Sequence, residues 1–154
     1  MDDTEKEPQY FYRVSDNSSR CKYDKDEGFV ASIPNAIYDP EHPNAKRELV
    51  LHMNWRNRKP TPFISVTSSP EKALQFALKR MKRMKLKNGN VLITKINRSL
   101  LSPKCVYHME TLVKRTGVVI KPKAMNSHEY LCVRHIPRSA IVKVTSSGIG
   151  VGCG

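Results

Sequence analysis

The residues best suited to chemistry are Arg13 in Phe11-Tyr12-Arg13-Val14, Ser65 and Thr67 in Phe63-Ile64-Ser65-Val66-Thr67, and Glu129 in Ser127-His128-Glu129-Tyr130-Leu131. Each sits in a stretch rich in aromatic and β-branched residues, the pattern of a strand. A guanidinium offers a rigid fork of donors to phosphate or sugar oxygens. A small hydroxyl at a strand end holds geometry without filling a cleft. A carboxylate stabilises positive charge that develops in a transition state. Taken singly, each also has a structural reading: Arg13 as a surface strand residue, Ser65 as a strand-end cap, Glu129 as a solvent-facing residue.

The elements that must position these groups are legible in outline. Tyr10 to Val14 alternates aromatic and polar residues and predicts the first strand. Asp16 to Gly28 reads as a loop, and the three prolines from Pro34 to Pro43 predict irregular chain. A helix is expected from Ala45 to about Trp55, capped by Asn44, with Leu49, Val50 and Met53 inward. Phe63 to Thr67 predicts a short strand that runs into a helix with Ser69 as its N-cap, Pro70 at its first position and Glu71 in its first turn. The apolar stripe of that helix reads as Ala73, Leu74, Ala77, Leu78 and Met81, and Asn88-Gly89-Asn90 is expected to end it. Strands follow at Val91 to Ile96, Tyr130 to His135 and Ala140 to Val144; the segments Val106 to Val113 and Val118 to Ile120 fit either strand or helix. Strands and helices mix without regular βαβ alternation, so the fold class expected is α+β. The expected organisation is a flexible N-terminus (1–9), one domain over 10–145 and a Gly-rich tail (146–154).

The order Arg, Ser, Glu in these contexts resembles the mono-ADP-ribosyltransferase superfamily of the Arg-Ser-Glu class. Phe11-Tyr12-Arg13-Val14 is similar to that family's first-strand Arg motif. Phe63 to Thr67 is similar to its aromatic-aliphatic-Ser-Thr-Ser strand, with Ala73 inside the following helix. Ser127 to Leu131 is similar to its Glu strand, and Ile136-Pro137-Arg138-Ser139-Ala140-Ile141 to the segment that trails it. The resemblance covers roughly residues 10–145. It implies two packed antiparallel or mixed sheets with flanking helices around a cleft for NAD, which is the substrate. Breaking the nicotinamide–ribose bond builds oxocarbenium character on the ribose, as in glycoside hydrolysis. By the resemblance, Arg13 anchors NAD, Ser65 supports the nicotinamide-ribose pocket, Thr67 stands where the family has its second Ser, and Glu129 is catalytic.

Two positions depart from the pattern. The middle motif reads Ser-Val-Thr, and Ser127 stands two residues before Glu129, where arginine-modifying members carry Glu or Gln. The acceptor expected is therefore a nucleobase, a phosphate end or a side chain other than arginine. The rival expectation is a catalytically silent module of the same fold that binds nucleic acid or an acidic partner through a basic face.

Charge bears on both. With 27 Lys and Arg against 14 Asp and Glu, the net charge is +13, a field that attracts polyanions. Six of the nine residues from Lys79 to Lys87 are basic, which reads as a nucleic-acid patch or as the solvated face of a helix. Lys46, Arg47, Arg56, Arg58 and Lys59 flank Trp55, an aromatic that suits base stacking or a core. Four widely spaced cysteines without a CxxC pair argue against a disulfide framework. The pairs Cys105/His108 and His128/Cys132 have metal-like spacing but read first as buried thiols beside histidines, so no metal is expected. No apolar run approaches the roughly 20 residues that span a bilayer, and the polar start lacks a secretory pattern. The expected location is intracellular, cytoplasmic or nuclear.

Overall fold

The computed structural model describes residues 7–16, 18–19, 21–35, 37–53, 60–84, 91–119 and 127–146. Within them run β1 (Tyr10–Ser15), β2 (Phe29–Val30), α1 (Ala45–Met53), β3 (Phe63–Thr67), α2 (Pro70–Met84), β4 (Leu92–Asn97), β5 (Val106–His108), α3 (Met109–Thr116), β6 (Glu129–Val133), β7 (His135–Ile136) and β8 (Ile141–Ser146). Six strands form one sheet in the order β5-β6-β3-β1-β4-β8, and β2 pairs with β7 in a small second sheet. Every pairing is antiparallel. The fold class is α+β, as expected.

Strand alternation sorts side chains onto two faces of the large sheet. Phe63, Leu131 and Val133 pack with Ala45 and Leu49 of α1 and with Met109, Leu112 and Val113 of α3. Phe11, Ile64, Val66, Ile96 and Cys132 pack on the other face with Phe29 and Ile136 of the small sheet and with Cys21 and Ala31 of the loops beside it. α1 and α3 thus cover one face and the β2–β7 sheet the other.

The strand-to-helix turn after β3 follows its local chemistry. The Ser69 hydroxyl accepts from the Lys72 amide at 3.1 Å, an N-cap bond that satisfies an orphan donor. The inward line of α2 is narrower than the predicted stripe. Ala73 and Ala77 are fully buried, whereas Leu74 and Leu78 are about half exposed. Alanines bring the helix axis close to β1, and the residues 100° further round are then lifted clear of the sheet. Val50 of α1 is likewise exposed while Leu49 is buried. Arg80 departs from the solvated basic face: it pairs with the buried Asp16 carboxylate at 3.3 Å and with Ser19 Oγ at 3.0 Å. Burial alone would push the Asp16 carboxyl up, but hydrogen bonds from Ser18 and the Arg80 charge outweigh it and hold the pKa low.

The segment left open at 106–113 resolves as a three-residue edge strand followed by α3, which ends at Gly117 in the left-handed conformation (φ 73°). The predicted Tyr130–His135 strand is split. Arg134 takes φ 75°, its amide donates to Pro62 O and its carbonyl accepts from Ala31 N, so the chain turns from the large sheet into the small one. The N-terminal residues 1–6, the tail from 147, Trp55 with Arg56, Arg58 and Lys59, Lys85 to Lys87 and Asn88 to Asn90 lie outside the described residues, and the readings made of them with them.

Candidate functional site

The strands that carry Arg13, Ser65, Thr67 and Glu129 are immediate neighbours: β1 lies beside β3, and β3 beside β6. Thr67 is opposite Tyr12 on one side and Glu129 on the other, and Ser65 is opposite Leu131. Ser65, Thr67 and Glu129 therefore share the helix-covered face. Diagonal neighbours across a strand pair lie about 7–8 Å apart, which is the span from Ser65 to Glu129.

β3 is buried along its length except at Ser65, which is half-buried. Its hydroxyl meets Nε2 of His52, from the last turn of α1, at 2.7 Å. Nδ1 of the same imidazole meets the Thr61 hydroxyl at 2.7 Å, and the ring stands edge-on to Phe63. A neutral imidazole donates through one nitrogen and accepts through the other, so Thr61 and Ser65 hydroxyls take complementary roles. His52 was not singled out in the sequence. The only signal for it is a polar residue in the last turn of an amphipathic helix that precedes the Ser strand.

Thr67 is buried, and its hydroxyl accepts from the Ser69 amide at 3.2 Å. It shapes the turn that launches α2. Glu129 is half-buried at the start of β6, next to the Ser127-His128 turn. Burial pushes its carboxyl pKa up. No cation pairs with it among the described residues.

Arg13 lies on the opposite face, over the Phe29 ring at 5.1 Å. Nη1 donates to the Ser65 carbonyl at 2.8 Å and Nη2 to the Cys21 carbonyl at 2.9 Å. Nε is buried with no partner among the described residues. The guanidinium ties β1, β3 and the 16–28 loop together from behind the Ser65 hydroxyl. The Cys132 thiol, on the same face, is pushed up to about 12 by burial. No group of three or more metal-binding side chains comes together among the described residues. No described helix is long and apolar enough to cross a membrane.

The chain belongs to the DUF7587 family, described as a domain of unknown function, which matches residues 6–148. No curated protein matches it. Among solved structures, the chain is similar to EcPltA, a protein of ADP-ribosyltransferase-like fold, with a TM-score of 0.61 and 16% identity over 90% of this chain and 75% of that one. The fold is thus ADP-ribosyltransferase-like.

Proposed function

We propose that this DUF7587 domain cleaves the nicotinamide–ribose bond of NAD and passes ADP-ribose to an acceptor or to water. The observation that carries the reading is the single face shared by Ser65, His52 and Glu129, with a half-buried carboxylate that no described cation neutralises. In the reaction the C–N glycosidic bond breaks and nicotinamide leaves with the bonding pair. A bond then forms from the anomeric carbon to the acceptor oxygen or nitrogen, which loses its proton. Glu129 in its charged form bonds the ribose 2′-hydroxyl and stabilises the cation that develops. His52 fixes the rotamer of Ser65, which borders the nicotinamide-ribose pocket. Arg13 supports the Ser65 backbone from the opposite face of the sheet.

A Ser–His hydrolase is the neighbouring alternative, but the His52 Nδ1 partner is a hydroxyl. A catalytic triad places a carboxylate there to stabilise the imidazolium. The orienting role fits better than nucleophile activation.

Nicotinamide release from NAD by the wild type and by Glu129→Ala tests the reading, with protein and nucleic acid offered as acceptors. Release that disappears in the variant supports it. No release from a folded wild type with any acceptor favours the second reading, a silent module of this fold that binds polyanions through its charge of +13. That module predicts binding that falls steeply with salt and ignores NAD.

A further inference from the structure

A cleft of about 450 Å³ wraps the free edge of the large sheet at β5, away from the Ser65–His52 pair. Arg98, His108, Thr111, Arg115, Tyr130 and Ser127 are among its walls. Its volume falls in the range of small-molecule sites.

Arg98 is the anomaly in this cleft. Its side chain is only 21% exposed. The guanidinium carbon stacks 5.4 Å from the Phe11 ring centroid and 5.5 Å from that of Tyr130. Nη1 is buried with no partner among the described residues. Among the described residues Nη2 reaches only the carboxylate of Glu7, at 3.4 Å, and that side chain is 80% exposed. A buried guanidinium donor without a partner is costly, and a planar fork is matched by an oxyanion that can take two bonds. The other charged walls are already engaged. Arg115 is held by Glu41 at 2.6 Å, and His108 bonds Thr111 Oγ1 and the Ser127 carbonyl. The imidazole lies against Tyr130 with ring centroids 4.7 Å apart, so the wall beside Arg98 is a run of π surfaces.

We propose that this cleft binds a nucleotide: Arg98 takes its phosphate monoester in the place of Glu7, and the base lies along the guanidinium and imidazole planes. A phosphate monoester carries about −1.5 to −2 charges and fits the guanidinium fork bidentately. Guanidinium and imidazole planes are surfaces on which bases stack. The ligand is a free nucleotide or the phosphorylated end of a strand. The site stands apart from NAD cleavage, since it uses neither Glu129 nor Ser65. Tyr130 and Glu129 are successive residues of β6 and leave it on opposite faces, so a nucleotide held on the Arg98 and Tyr130 side binds independently of the Glu129 carboxylate.

Titration calorimetry at low salt with AMP, adenosine, inorganic phosphate and a short 5′-phosphorylated single strand tests the proposal. AMP or the phosphorylated strand is expected to bind at least tenfold more tightly than adenosine or phosphate, and the tighter of the two names the source. Arg98→Gln should weaken that binding tenfold or more. Glu7→Gln, an exposed change that leaves the fold untouched, should tighten it several-fold. Glu129→Gln should leave it unchanged. The proposal is overturned by a wild type that binds neither phosphorylated probe, by phosphate or adenosine binding as well as AMP, or by Glu7→Gln failing to tighten binding.

Discussion

Arg13 and Ser65 meet through the Ser65 carbonyl, 2.8 Å from Nη1, on the sheet face opposite to the Ser65 hydroxyl. The guanidinium therefore acts on the backbone of β3, while His52 acts on its side chain. Two cationic or polar groups from opposite sides fix one serine. The strand beside Glu129 is held in place without any side chain crossing the sheet.

Arg13→Lys keeps the charge but cannot bridge two carbonyls with a rigid fork. One of the Ser65 and Cys21 carbonyls loses its donor, and hydrogen bonds from charged donors contribute about 1.5–3 kcal/mol. A loss of stability in that range is expected by urea denaturation. A variant as stable as the wild type would show that the clamp is dispensable.

Glu129→Gln is expected to separate stability from activity. Burial raises the folded-state pKa, so the carboxyl's contribution to stability is complete below the ordinary carboxylate range and is lost as pH rises through the raised value. At neutral pH the charged group is a burden on the fold. The neutral amide should add about 0.5–2 kcal/mol, seen as a higher Tm at pH 7. NAD cleavage should fall at least a hundredfold.

The same shift fixes the acid limb of activity. Cleavage needs the ionised carboxylate, so the rate should rise with pH through a midpoint above 4.5, the ordinary value for Glu. A midpoint at or below 4.5 in the pH profile of kcat/KM would contradict the assignment.

His52 and Ser65 should behave as a unit. His52→Ala and Ser65→Ala each remove the bond between them, so the double variant should lose less than the sum of the singles. Coupling of about 0.5–3 kcal/mol is typical of such contacts, readable both in stability and in kcat/KM. Additive losses would mean that the 2.7 Å contact carries no energy.

Gly28 has φ 84°, and a Cβ there would lie 2.2 Å from the Ile136 carbonyl oxygen and 2.8 Å from the Arg138 amide nitrogen. Both obstacles are backbone and cannot swing away. Gly28→Ala should cost about 2–5 kcal/mol from the clash and the left-handed conformation together. Thermal unfolding followed by circular dichroism gives the value.

Local rules carried the reading of this chain furthest where the cause is local. β1, β3 and the Ser69–Pro70–Glu71 start of α2 follow from alternation and capping, and they lie where those rules put them. The stripe of α2 does not, because whether Leu74 or Ala73 faces inward depends on how closely the helix approaches β1. The bend at Arg134 was hidden for a similar reason. A non-glycine residue holds φ 75° there because Pro62 and Ala31, distant in sequence, bond both its backbone groups. The order Arg, Ser, Glu pointed to three strands that prove to be neighbours. Sequence spacing could not say that Arg13 faces away from the other two, nor that His52 joins Ser65. Both depend on the pairing of β1 with β3 and the packing of α1, which are set by the whole sheet.

The strand order also has a consequence in time. β3 and β6 are hydrogen-bonded neighbours, yet α2, β4, β5 and α3 all lie between them in sequence. Pairings of such long range form slowly, because loop closure must precede the contacts that reward it. On the ribosome, Arg13, His52 and Ser65 emerge well before Glu129. The growing chain therefore holds half a site for much of its synthesis, and the constellation closes only when one of the last strands to be made slots in between β5 and β3.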